Sequence, residues 1–102
     1  MSLRAAFIFL APEADPAKHR ASVHTPQVDL TVVGVANYAE AEHVAKSMIE
    51  DGIAAIELCG GFGTDGVARI ARAVGGKAAV GVVRFDGHPG LGGKSGDAIF
   101  GD

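Results

Sequence analysis

Apolar positions along this chain follow two different periods, and the alternation between them lays out a fold. Residues 5–10 (Ala-Ala-Phe-Ile-Phe-Leu) form an unbroken apolar run of strand length, as in a strand covered on both faces. Residues 30–35 are a second such run, rich in β-branched side chains, and predict a second strand. The connection between them holds Pro12, Pro16 and Pro26 and no clear period; Asp15 and Pro16 have the form of a cap and first turn for a short helix reaching about Ala21.

From residue 37 the period lengthens. Asn37 and Glu40 make an N-cap and capping-box pair. Ala41, Val44, Ala45, Met48 and Ile49 then fall on one stripe, with Glu40, Glu42, Lys46 and Glu50 largely on the other. Gly52 follows as the stop, at a position that favours a left-handed backbone. Residues 53–59 predict a third strand. A second helix follows, capped by Thr64 or Asp65, turning Val67, Ile70, Ala71 and Val74 inward and ending at Gly75 and Gly76. Residues 78–85 predict a fourth strand.

Strand, helix, strand, helix, strand with short connections implies a parallel sheet. The expected class is therefore α/β: a small, mostly parallel sheet of about four strands with helices packed on it, in β-β-α-β-α-β order. Residues 1–86 read as one domain. Residues 87–102, rich in glycine, read as a flexible tail whose Ile99 and Phe100 are able to dock on the body or on a partner.

Composition narrows the function classes. The 102 residues are 48% apolar and 21% charged, as in a globular protein, and a chain this short gains from burying surface against a second copy. A homodimer or higher homo-oligomer is expected. Nine basic against 12 acidic residues give a net charge of −3, and without a basic stripe this argues against nucleic acid as a partner. No apolar run approaches the ~18 residues of a membrane span, and the opening residues lack the pattern of a signal peptide. A cytoplasmic location is expected. The single Cys59 has no partner for an intramolecular disulfide.

Candidate chemistry concentrates in residues 54–66, where an apolar strand runs into a glycine-rich turn that opens a helix. Gly61, Gly63 and Gly66 satisfy the G-x-G-x-x-G spacing, and Asp86 follows about 20 residues later. Asp65 near the phosphate position and the lack of a second half weaken the dinucleotide reading. A smaller anion, a carboxylate or single phosphate, needs only the helix start and free amides, supplied by Gly60, Gly61, Phe62, Gly63 and Thr64. The alternative is that the glycines serve a tight turn alone.

Glu57 is a carboxylate in an otherwise apolar strand, on the same face as Cys59 by alternation. Buried without a partner it would act as a general acid or base; paired with Arg84 on the next strand it would be a structural ion pair or a ligand clamp. Cys59, at the strand end beside backbone amides, has the setting of a nucleophile or that of a small core residue. His19, with Lys18 and Arg20, brings positive charge in the long connection toward the ligand side. His19, His24, His43 and His88 show no metal-ligand spacing, so no metal is expected.

The string Ile56-Glu57-Leu58-Cys59-Gly60-Gly61-Phe62-Gly63, together with residues 15–20, 37–41 and 80–83, resembles a family of uncharacterised bacterial proteins of about this length, a domain of unknown function. The resemblance spans roughly residues 4–86. It implies a stand-alone unit and carries no reaction, cofactor or catalytic residue. Two functions are expected from the residues themselves: a small anionic metabolite bound at the turn, with catalysis by Glu57 and Cys59 open, or a non-enzymatic homo-oligomeric module of structural or regulatory type.

Overall fold

The computed structural model describes residues 2–101. Five strands, β1 (Leu3–Leu10), β2 (Arg20–His24), β3 (Val28–Val35), β4 (Ala55–Leu58) and β5 (Ala79–Val82), form one sheet in the order β2-β3-β1-β4-β5. β1 is central and runs parallel to β3 and β4, and β4 runs parallel to β5. The expected α/β class and mostly parallel sheet are both present.

The additional strand is β2, which lies antiparallel on β3 in the segment read from sequence as a short helix. Asp15 and Pro16 do start a turn, with Lys18 and His19 N–H groups donating to the Asp15 carbonyl at 3.0 and 2.7 Å. That turn does not propagate. Residues 20–24 instead close a hairpin through Thr25, whose Oγ1 accepts from Val28 N–H at 2.9 Å. An edge strand with no buried residue leaves no hydrophobic period to read, which is why the pattern missed it.

α1 (Tyr38–Glu50) and α2 (Thr64–Val74) pack against each other over one face of the sheet. Ala6, Ile8, Val33, Val35, Ile56 and Leu58 on that face meet Ala41, Val44, Ala45 and Met48 of α1 and Ile70 and Val74 of α2. Each buried Val, Leu, Ile or Met side chain here stabilises the fold by about 1.5–3 kcal/mol, and each alanine by less. The α1 stripe matches its sequence period, and its cap is as expected: Asn37 Oδ1 accepts from Glu40 N–H at 2.8 Å, while Glu40 Oε1 accepts from Ala36 N–H. Gly52 stops α1 with φ of 85°. In α2 the inward row is Gly66, Ile70 and Val74, an i, i+4 ladder that turns Ala71 outward.

The second face of the sheet is different. Register and alternation put Ala5, Phe7 and Phe9 of β1, Leu30 and Val32 of β3, and Val23 of β2 on it. The helices pack on the other side.

The glycine-rich segment carries a 3-10 turn (Pro89–Leu91) and a short helix, α3 (Gly96–Phe100). Phe100 is 5% exposed and belongs to the core, tilted against the Tyr38 ring. Ile99 faces outward.

Candidate functional site

β4 ends at Leu58, and residues 59–63 turn the chain into α2 at the carboxyl edge of the sheet. Phe62 is buried there, stacked on Tyr38 with ring centroids 5.6 Å apart. Free backbone N–H groups are the chemical resource of such a turn. The sequence suggested that they face open space; the structure shows that the chain itself engages those of Gly61, Phe62 and Gly63. Phe62 N–H donates to the Cys59 carbonyl, Gly61 N–H to Cys59 Sγ at 3.3 Å, and Gly63 N–H to the Tyr38 hydroxyl at 2.9 Å. The first turn of α2 is met by a carboxylate from the tail: Asp97 Oδ2 accepts from Asp65 N–H at 3.0 Å and Oδ1 from Gly66 N–H at 3.1 Å.

Neither Thr64 nor Asp65 caps α2. The N-cap is Gly63, without a side-chain bond of its own, and Asp97 performs from a distant segment what a neighbouring Ser or Asp normally does. Tyr38 closes the network by donating to Asp97 Oδ1 at 2.7 Å. Burial drives the Tyr38 pKa far above that of an ordinary phenol, so the hydroxyl remains a donor. For Asp97, burial alone would raise the pKa, but the Asp65 amide, the Tyr38 hydroxyl and the Gly66 amide together hold it below the usual carboxylate value.

Two glycines of the fingerprint spacing are explained by close approach. A Cβ on Gly63 would press on Asp97 and Ser95, and one on Gly66 would enter the Tyr38 ring. The G-x-G-x-x-G pattern thus makes room for the chain's own side chains.

Beside this network lies a hollow of about 310 Å³ between the start of α2 and the end of β5. Phe62 and Val67 line its inner side, and Thr64, Ser95, Val82, Val83, Phe85, Arg84 and Asp86 its mouth. Phe85 lies over the backbone of Gly60 and packs on His88 with centroids 4.6 Å apart. Arg84 Nε donates to Asp86 Oδ1 at 2.9 Å, and both side chains are exposed. The N–H and hydroxyl of Thr64 make no hydrogen bond among the described residues.

The sequence-predicted residues divide accordingly. Gly63, Thr64, Phe62 and Arg84 come together at the hollow. Glu57 is exposed on the second face of the sheet, opposite Phe7 and Gly81 in register. It does not meet Arg84, which has taken Asp86. Cys59 is half-buried, and its Sγ accepts from Leu10 N–H at 3.4 Å as well as from Gly61; the thiol organises the turn. His19 lies beside another hollow with Phe9, Pro12 and Glu13, its Nδ1 accepting from Asp15 N–H at 2.8 Å. Among the described residues no group of three His, Cys, Asp or Glu side chains is arranged to hold a metal ion.

Tyr38, Phe85, Ser95 and Asp97 were missing from the sequence reading. Tyr38 directly follows a cap and breaks the small-residue stripe of α1, and Ser95 to Asp97 has the form of a helix start within a glycine-rich segment; these were the available signals.

Comparison with curated proteins and with solved structures gives no match. The sequence model of a family of unknown function matches residues 3–98. The match takes in strands, helices and the Asp97 segment alike, and the chain belongs to that family, DUF6506.

Proposed function

We propose that this protein binds a small molecule with an apolar body and one anionic group in the hollow between α2 and β5. The observation that carries the reading is the clustering of Val82, Val83 and Phe85, 47%, 48% and 38% exposed, around one concavity that also holds Arg84. Exposed large apolar side chains gathered at a concave site have a use. The 310 Å³ volume suits a compact metabolite rather than a dinucleotide. Arg84 supplies the counter-charge, able to leave an exposed pair with Asp86 that is worth little in water. Thr64 supplies a free hydroxyl and a helix-start N–H.

This differs in one respect from an anion held by the turn itself. The amides of Asp65 and Gly66 are already taken by Asp97, so the ligand sits beside the turn. A thermal-shift screen of small carboxylates and phosphomonoesters tests the reading. Stabilisation by apolar-bodied anions, lost in Arg84→Leu and weakened in Thr64→Ala, is expected. Both side chains are exposed, so neither change should unfold the protein. Stabilisation indifferent to Arg84 would remove the hollow as the site.

A second reading, a non-enzymatic homo-oligomeric module, is favoured by the apolar sheet face that carries no helix.

A further inference from the structure

We infer that the groove between β2 and α1 is a second binding site, for a phosphorylated sugar or polyol. β2 extends the sheet past β3 at its edge, and the space between that strand and α1 is a hollow of about 410 Å³. It shares no lining residue with the hollow beside α2. Register fixes what the sheet presents there. Over its centre the helix-covered face is apolar, with Ala6, Ile8, Val33 and Val35. Toward the edge the same face turns polar, with Thr31 on β3, Arg20 and Ser22 on β2, and Arg4 at the start of β1. From α1, the buried Val44 and Met48 meet His43 and Ser47, which are exposed, as is Asp51 at the helix end. Hydroxyls and cations, rather than exposed apolar side chains, therefore line this groove, and they select a ligand rich in hydroxyl groups and negative charge.

The two ends of the groove differ. Arg20 stands opposite Val33 in register and Arg4 opposite Asp29, a separation of about 13 Å along the strands. His43 and Asp51 lie about 12 Å apart along α1, and the helix runs back against the strand it follows. His43 therefore falls toward Arg20 and Asp51 toward Arg4, whose Nη1 donates to the Asp51 carbonyl. Arg20 Nε donates to the Pro16 carbonyl at 2.9 Å. Each guanidinium is thus held by one backbone carbonyl, and its remaining N–H groups make no hydrogen bond among the described residues. At the Arg4 end the positive charge is offset by Asp51 and by Asp29, which lies within the field of Arg4 while pairing with His24 at 3.0 Å. At the Arg20 end no carboxylate lines the groove among the described residues. The phosphate belongs there, on a planar fork that matches its oxygens. The hydroxyl-bearing body then extends past Ser22, Thr31 and Ser47 to the Asp51 carboxylate, which accepts from it. Ser22 and Thr31 share one hydrogen bond at 3.4 Å, and the Ser47 and His43 side chains make none among the described residues.

Calorimetric titration of the full chain with glucose 6-phosphate, inorganic phosphate and glucose tests this. Glucose 6-phosphate should bind best, with inorganic phosphate and glucose each weaker by about tenfold or more. Arg20→Leu, which removes the charge-assisted bonds to the phosphate, and Ser47→Glu, which sets a like charge in the groove, should each weaken the ester by about tenfold. Ser47 is exposed on α1 and glutamate is a good helix former, so this variant folds even where Arg20→Leu loosens the turn before β2; circular dichroism checks both. Asp51→Ala should weaken glucose 6-phosphate by about threefold and leave inorganic phosphate unchanged, since it touches only the hydroxylated end. Arg84→Leu should change nothing, because Arg84 lines the other hollow. No binding of the ester at about 10 mM, binding indifferent to Ser47→Glu, or binding lost in Arg84→Leu would overturn the inference. Inorganic phosphate bound as tightly as the ester would overturn the assignment to a sugar or polyol.

Discussion

The Tyr38 hydroxyl and Asp97 Oδ1 are 2.7 Å apart across 59 residues of sequence, and that contact ties the tail to the start of both main helices. Tyr38 opens α1, Asp97 caps α2, and Gly63 donates to the same hydroxyl. The turn that looked like an anion cradle is a cradle for the chain's own carboxylate.

Asp97→Ala should therefore lower stability by about 2 kcal/mol, since it removes an ionised acceptor from two helix-start amides. Asp97→Asn should recover part of the loss, because its carbonyl oxygen can still accept one of the two bonds. Urea unfolding of the three proteins checks the order. A change in Asp97→Ala below about 0.5 kcal/mol, the size of an ordinary surface effect, would show that the tail carboxylate is dispensable.

Tyr38→Phe removes the acceptor of a buried amide and should cost about 1–3 kcal/mol. In a double-mutant cycle with Asp97→Ala the two effects should be non-additive by more than about 0.5 kcal/mol. Additive losses would mean that the hydroxyl and the carboxylate act independently.

The pH dependence follows from the depressed Asp97 pKa. A carboxyl whose folded value lies below its unfolded value of about 3.9 contributes stability that is fully present above the unfolded pKa. That contribution is lost as pH falls through the folded pKa. Denaturation midpoints measured from pH 7 to pH 2.5 should fall at the acid end, with a shallower fall in Asp97→Asn. Equal slopes in the two proteins would contradict the assignment.

Gly66→Ala should be more damaging than Gly76→Ala. The first places a methyl group in the Tyr38 ring, whereas the second meets open space and bears only the strain of φ at 78°. Overpacking in a filled core costs about 1–3 kcal/mol or more, and the left-handed backbone about 1–2 kcal/mol. Thermal melts of the two variants rank them, and equal losses would mean that the Gly66 side of the turn is slack.

Much of the scaffold was legible because it rests on local periods. The runs at residues 5–10 and 30–35, the Asn37 and Glu40 cap and the Gly52 and Gly75 stops are all written in neighbouring residues, and each appears in the fold. β2 was not legible, since its exposed residues carry no burial pattern and its identity comes from pairing with β3. The site was half legible. Phe62, Gly63, Thr64 and Arg84 gather where the strand-to-helix turn pointed, but Asp97 reaches the turn from 32 residues away, and no spacing rule encodes that return. Glu57 and Arg84 were paired on strand adjacency; Asp86 two residues away offered Arg84 a nearer carboxylate.

The most direct measurement of the account is amide chemical-shift mapping of the wild-type protein and Arg84→Leu with the strongest anion from the screen. The account predicts concentration-dependent shifts confined to Thr64, Val67, Val82 to Phe85 and Ser95, largely absent in the variant, with the Asp65 and Gly66 amides still bonded to Asp97. Shifts centred elsewhere on the protein, or undiminished in Arg84→Leu, would contradict it.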